Sequence, residues 1–342
     1  MIDEVKALSR PLAVAQTVSG RLVTAGEVKA KRVVLTGDSS VLSSANGRWA
    51  LVDSLRLLLR VAGNLTLLLP MGTDELESEV KSIAAAASLM CKVEFLRTPG
   101  EDALHYADAV LNVGFSVRPE LPWTCVNSNG WVVRASSTDI SLPCEVAQPN
   151  PIGALGAASI GVAEVFKRLF GIPHDIAPLL NKCEFSLFEY STCFDSPGPL
   201  LPKDLHLPNT LMGGGGAIGN GIGLLLSQLS LLGRVHVVDN QAYGDENCGT
   251  CVLLEDQGWI GQNKAPRLAE WLRQNSALHA TGERVLVNAA LAGEELRALS
   301  PELVLNGFDD VSARHDVQLA WPALLFDGGI SDIGFLRSCA MT

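Results

Sequence analysis

The chain has 342 residues, a formal net charge of −11, 47% apolar residues and 18% charged residues. At roughly 150 residues per domain this length suggests two domains, and the apolar content excludes intrinsic disorder over most of the chain. The acidic balance argues against a nucleic-acid partner, which needs a basic footprint, but leaves one local nucleotide site open.

The first part of the chain reads as alternating strands and helices. Arg32–Thr36 and Asn64–Leu69 are predicted strands, with helical spacing over Ala50–Val61 between them. An amphipathic helix over Asp74–Met90 follows the start signal Thr73. Lys92–Leu96, Ala109–Val113 and Trp131–Val133 are further strands, and the Gly/Ala-rich stretch Ile152–Phe170 is a helix suited to close contact with a sheet. Four prolines between Ser196 and Pro208 oppose both helix and central strand, and mark a domain boundary. The expected organisation is a domain over 1–195, a Pro-rich linker over 196–209 and a second domain over 210–342.

The second part repeats the pattern. Thr210–Met212 is a strand, a glycine loop follows, and a helix runs near Asn220–Leu232. Arg234–Val238 is a strand, Lys264–Asn275 a helix, and Arg284–Asn288 and Glu302–Asn306 are strands. Val110-Leu-Asn-Val-Gly-Phe115 resembles Val304-Leu-Asn-Gly-Phe308, which suggests two related repeats. The fold class is α/β, with two Rossmann-like, doubly wound, mostly parallel sheets in tandem.

Gly213–Gly219 holds G-x-G-x-x-G at Gly214, Gly216 and Gly219, with Ala217 opening the helix. The first glycine permits a tight turn, the second lets backbone approach a phosphate, and the third lets the helix pack on its strand. The helix N-terminus then offers free N–H groups to an anion. Asp239 lies 20 residues after Gly219, at the end of the next strand, where a carboxylate can accept ribose hydroxyls. These residues point to a nucleotide without separating NAD from ATP.

The residues that follow carry a resemblance. Asp239, Asn247, the lysine of Gly261-Gln-Asn-Lys264, and Asp309 with Arg314 fall at positions that resemble the adenylating family of ThiF, MoeB and the ubiquitin-activating enzymes. The family pattern is a glycine loop, an aspartate closing the second strand, N-L-x-R-Q, a lysine after a glycine, and D-N-x-x-x-R. The match spans about Leu211 to Gly329, roughly a third of the chain. It implies ATP and Mg2+ as cofactors and adenylation of the C-terminal carboxylate of a ubiquitin-like protein or peptide. By the same resemblance Lys264 neutralises phosphates, Asp309 holds Mg2+, Asn247 bonds ribose or phosphate, and Asp239 holds the ribose. Catalysis of this kind is mostly electrostatic clamping and positioning.

The chain departs from the pattern in three places. Thr250 replaces the family's arginine, Gln241 its second aspartate, and Asp310 stands where asparagine is usual. In the family a further arginine reaches in from a partner's N-terminal segment. Arg10 is the first candidate, ahead of Arg21 and Arg32. The first part resembles the family fold without its residues, since Thr36–Ser40 and Val113–Ser116 stand where the loop and the metal aspartate belong. The resemblance therefore implies an inactive repeat fused to an active-like one that stops early. It also implies a bacterial ubiquitin-like conjugation system, a homodimer or internal pseudo-dimer, and a downstream conjugating protein. Cys339 is the candidate thioester cysteine.

Other features carry less. Cys248-Gly-Thr-Cys251 lacks the second pair of ligands that zinc needs and reads as two incidental thiols. His236, within a strand, reads as a packed or edge residue. Arg56 and Arg60 interrupt the apolar run 51–69, and Glu164 and Lys167 interrupt 152–170, so no membrane span is expected. Eight scattered cysteines without a signal peptide imply a cytoplasmic chain. The competing readings are a nicotinamide oxidoreductase, a non-catalytic scaffold of the same fold, and adenylation of a tRNA base.

Overall fold

The computed structural model describes residues 2–87, 89–97 and 101–329. The chain divides into two compact units. One comprises Met1–Leu12, Val23–Asp204 and Gly244–Trp259; the other comprises Ala13–Leu22, Leu205–Tyr243 and Ile260–Thr342.

The first unit is built on seven strands: β1 Arg32–Gly37, β2 Asn64–Leu69, β3 Lys92–Arg97, β4 Ala109–Val113, β5 Trp123–Asn129, β6 Val132–Ser136 and β7 Cys183–Ser186. Their order is β3-β2-β1-β4-β5-β6-β7. The first five are parallel and the last two join antiparallel. Every residue of Ala109–Val113 is buried, as expected of a parallel strand covered on both faces. The helix Ala45–Leu58 starts where Ser44 Oγ accepts from Gly47 N, five residues before the apolar spacing alone suggests. The helix Pro151–Phe170 is delimited by Asn150 at its N-cap, proline at its first position and Gly171 in the left-handed region after it.

The second unit has five parallel strands: β8 Leu205–Gly213, β9 Leu231–Val238, β10 His279–Glu283, β11 Leu303–Asn306 and β12 Leu324–Asp327. Their order, β10-β9-β8-β11-β12, is the order of the first five strands of the other sheet. Both sheets are thus doubly wound and Rossmann-like, and the tandem α/β expectation holds. Among the described residues no helix is long and apolar enough to cross a membrane.

Three local expectations need correction. Arg284–Asn288 is not a strand. The third strand is His279–Glu283, and a helix begins at Val287, whose side chain is buried with Ala290, Leu296 and Leu299. The strand expected over Thr210–Met212 begins earlier, at Leu205, and runs through Pro208. The proline is tolerated because the register shifts between Leu207 and Thr210. The strand expected at Trp131–Val133 is Val132–Ser136, one member of an antiparallel trio with β5 and β7.

Candidate nucleotide site

In the second unit β8 lies between β9 and β11, so the strand order reverses at its carboxyl end. That crevice is where open α/β sheets bind ligands. The glycine loop leaves the sheet there. Gly214 has φ +87°, a conformation that a side chain would strain. A Cβ at Gly219 would lie 2.0 Å from the Gly214 carbonyl oxygen, so the helix packs on its own loop only because that residue is glycine. Gly216 precedes the helix Ala217–Gln228 and provides no side-chain cap. A Cβ at Gly216 would meet nothing within 4 Å. The space beside Gly216 and the exposed Ala217 at the helix start is therefore open, as a phosphate-binding helix N-terminus requires.

Asp239 follows β9 and is 6% exposed. Its Oδ2 accepts from Gly215 N at 2.7 Å and its Oδ1 from Gln241 N at 2.7 Å. One carboxylate thus ties the glycine loop to the strand end, and each oxygen keeps a lone pair for a further donor. Lys264 opens the helix Lys264–Asn275, as the sequence predicts, and is 6% exposed. Its Nζ donates to Gln241 Oε1 at 2.7 Å. Its stem lies against the loop, since a Cβ at Gly215 would be 2.9 Å from Lys264 Cβ. Among the described residues no carboxylate lies within 4 Å of this ammonium. A buried cation held by a neutral amide keeps its whole charge for an anionic ligand.

Two loop-holding residues escape sequence reading. Asn220 Nδ2 donates to the carbonyls of Gly215 and Gly216 at 2.8 and 2.9 Å. Tyr243, 1% exposed, directs its hydroxyl at Gly215 O at 3.3 Å and accepts from Asn220 at 3.2 Å. The only signal was position: a polar residue in the first helical turn, and an aromatic hydroxyl four residues after Asp239.

The far wall comes from β11. Gly307 N donates to Gly213 O at 2.7 Å. Asn306 donates to Asp327 Oδ1 at 2.8 Å, and Arg314 pairs with Asp327 Oδ2. The hydrogen bond to Asp327 raises the Arg314 pKa further. Arg314 is thus committed within its own unit. Asp310 accepts from Ala313 N at 2.8 Å and caps the helix Val311–Asp316. Asp309 is exposed and makes no hydrogen bond or ion pair among the described residues.

Asn247 and Arg10 belong to the first unit. Asn247 sits in the short helix Asp245–Gly249, 8% exposed, with Oδ1 accepting from Gly244 N at 2.9 Å. A Cβ at Gly249 would lie 2.5 Å from Ala7 O and 3.0 Å from the Pro11 ring. The exposed Arg10 therefore belongs to a helix start packed against the Asn247–Thr250 segment. Arg60, 4% exposed, donates to the carbonyls of Cys248, Val252 and Leu254 at 3.2, 3.1 and 2.9 Å, and burial lowers its pKa to about 10. Cys248 and Cys251 are buried and in no disulfide, and burial pushes the Cys248 pKa up to about 11. Cys339 lies outside the described residues.

At the corresponding crevice of the first unit, between β1 and β4, there is a carboxylate. Asp38 Oδ2 accepts from Phe115 N, Ser116 N and Ser116 Oγ at 2.8, 3.0 and 2.9 Å, and Oδ1 accepts from Asn112 Nδ2 at 3.3 Å. This carboxylate thus ties the end of β1 to the segment that follows β4.

No family model matches the chain. A curated protein of Sinorhizobium fredii (strain NBRC 101917 / NGR234), described as uncharacterized protein y4jF, is 30% identical over 259 residues. That alignment covers 73% of this chain and 48% of the relative, so the chain spans about half the length of the protein it matches. Among solved structures, the crystal structure of E. coli MccB overlaps with a TM-score of 0.33 at 12% identity, over 48% of this chain and 62% of that one. The fold assignment rests on strand order and register, not on that overlap.

Proposed function

We propose that the second unit binds ATP with Mg2+ and adenylates the C-terminal carboxylate of a peptide or ubiquitin-like protein. The observation that carries this reading is Lys264. Its buried, carboxylate-free ammonium lies against a glycine loop whose helix N-terminus is uncapped and open. Those features fit a polyphosphate better than the diphosphate of a nicotinamide cofactor, which is bound by loop and helix alone.

In this reading the domain over 210–342 carries the nucleotide. Gly214, Gly216, Ala217 and Gly219 shape the phosphate cradle, and Asp239 holds the ribose. Lys264 neutralises charge that builds on the phosphate oxygens, and Asn247 bonds ribose or phosphate. Asp309 is the residue that would hold Mg2+, which supplies charge neutralisation across the phosphates when bound. A carboxylate oxygen of the substrate attacks the α-phosphorus. The bond to the bridging oxygen breaks, and pyrophosphate leaves with the electron pair. Arg10 is the candidate for the further arginine that the resembled family takes from a partner's N-terminal segment. Its support is the packing of its helix start on Gly249.

The domain over 1–195, joined by 196–209, acts as the inactive repeat, and the carboxylate of Asp38 at its crevice supports that assignment. Transfer of the acyl group to a thiol, with Cys339 as sequence candidate, and a downstream conjugating protein complete the proposal. Cytoplasmic location and pairing as a homodimer or pseudo-dimer belong to it as well.

The test is ATP–pyrophosphate exchange with a panel of peptides and ubiquitin-like proteins that end in a free glycine carboxylate. Exchange above the Lys264→Ala background supports the reading. Absence of exchange together with tight NAD binding refutes it. ATP binding without exchange across the panel favours the non-catalytic scaffold.

A further inference from the structure

Away from the glycine loop, the second unit holds a cluster that the nucleotide reading does not use. His236 on β9 is 2% exposed. Its register partner on β10 is Thr281, and Glu283 lies two residues further along the same strand. Nδ1 is 2.8 Å from Thr281 Oγ1. Nε2 lies 3.8 Å from Glu283 Oε2, and Nδ1 lies 3.7 Å from Glu295 Oε2 on the helix Glu294–Leu299. One ligand atom from each of the three residues lies within 4.8 Å of the other two.

Two features make this more than a pair of surface acids near a histidine. Nε2 is buried and has no hydrogen-bond partner, although it faces Glu283. A buried ring nitrogen without a partner carries a desolvation cost that something must offset. The two carboxylates also have no lysine or arginine partner among the described residues. In the tautomer with hydrogen on Nδ1, that nitrogen donates to Thr281 Oγ1 and the Nε2 lone pair is left for a cation, as in a metal-binding histidine oriented by a hydrogen bond from its other nitrogen.

We infer that His236, Glu283 and Glu295 bind one divalent transition-metal ion of the Zn2+ class, which ties the β10-to-β11 connection to the sheet. One imidazole and two carboxylates suit a borderline cation, whereas Mg2+ and Ca2+ favour oxygen-only sets. The half-exposed Glu283 and exposed Glu295 leave the solvent side open to water ligands. Helix Glu294–Leu299 buries only Leu296 and Leu299, so a bond from Glu295 to a strand-borne histidine adds a fixing point.

The experiment uses the full chain without nucleotide, so its result is independent of the ATP reading. Chelator-treated protein is titrated with ZnCl2 and separately with MgCl2 by calorimetry, and the melting temperature is followed. CoCl2 is added in parallel as a spectroscopic probe. The expected result is one equivalent of Zn2+, a higher melting temperature with Zn2+ than with Mg2+, and visible Co2+ d–d bands. Glu295→Gln, on an exposed helix face where folding is not at stake, is expected to weaken Zn2+ at least 10-fold and to remove the thermal shift. Glu283→Gln is expected to do the same, and His236→Gln to abolish binding if it folds. No Zn2+ binding by the wild-type chain overturns the inference. So does Zn2+ binding that Glu295→Gln and Glu283→Gln leave unchanged, which would place the ion elsewhere.

Discussion

Lys264 Nζ donates to Gln241 Oε1 at 2.7 Å, an amide at the position where the resembled adenylating family has a carboxylate. The chain also has Thr250 in place of that family's arginine. One lost negative charge and one lost positive charge cancel between these two departures, while Asp310 in place of asparagine adds one negative charge. Gln241→Glu alone breaks that balance by giving Lys264 an ion-pair partner. We expect it to weaken ATP binding about 10-fold, roughly 1.4 kcal/mol, with little change in melting temperature. Lys264→Ala is expected to weaken ATP at least as much. Equal ATP affinity in wild type and Gln241→Glu, by calorimetry at fixed salt, would contradict the role given to the ammonium.

The three glycines of the loop are predicted to differ when substituted. At Gly216 a Cβ meets nothing within 4 Å, so Gly216→Ala should fold and stay within about 1 kcal/mol of wild-type stability while crowding the phosphate. At Gly219 a Cβ falls 2.0 Å from Gly214 O, so Gly219→Ala should lose several kcal/mol, on the order of 3. Urea unfolding beside nucleotide titration separates the two. A Gly216→Ala protein that is as stable as wild type and binds ATP equally well would remove the cradle assignment.

Asp38 makes the opposite prediction for the first unit. Asp38→Ala strands the amides of Phe115 and Ser116, and should cost about 2–4 kcal/mol. It should not create a second nucleotide site, since the groups that Asp38 bonds, on Asn112, Phe115 and Ser116, are all neutral. A stoichiometry of two ATP per Asp38→Ala chain would show that Asp38 alone keeps the first unit empty.

Arg60 is expected to be a stability determinant out of proportion to its distance in sequence from its partners. Its guanidinium satisfies three carbonyls of the segment that carries Asn247 and the two thiols. Arg60→Met should cost about 3–5 kcal/mol and expose residues 244–259 to protease before the rest of the chain. Uniform cleavage kinetics in that variant would argue against the role.

Alkaline stability follows from the buried thiols. Burial pushes Cys91 and Cys125 from an ordinary 9.0 up to about 12. Above pH 9 the unfolded chain releases these protons while the folded chain keeps them. Stability therefore falls as pH rises from 9 toward 12, by about 1.4 kcal/mol per pH unit for each thiol. Cys125→Ala should flatten the fall in melting temperature between pH 8 and 10. An unchanged slope would mean that other groups dominate.

The glycine loop was legible because its signals are local: glycines at fixed spacing, an acid at the strand end, and a helix that begins at Lys264. The tandem α/β pattern was legible for the same reason, through alternating apolar runs. What was not legible depends on contacts distant in sequence. Arg284–Asn288 has the better strand composition, yet His279–Glu283 takes the pairing on β9 and Val287 is drawn into the core as a helix start. Arg60 read as an interruption of an apolar run and is a buried anchor. Asp38 read as part of the segment Thr36–Ser40 that stands in place of a glycine loop, and it holds the amides of Phe115 and Ser116. His236 read as a packed strand residue. It is packed, but its open nitrogen and two facing carboxylates come from three separate elements.

The central claim is that the second unit holds one ATP through the uncapped helix and Lys264. Calorimetric titration of the full chain with ATP at millimolar Mg2+, beside Lys264→Ala and Gly216→Ala, tests it most directly. The account predicts one ATP per wild-type chain, preferred over NAD, with affinity lost at least 10-fold in both variants and the fold intact. Binding of NAD in preference to ATP, or ATP binding indifferent to both substitutions, would contradict it.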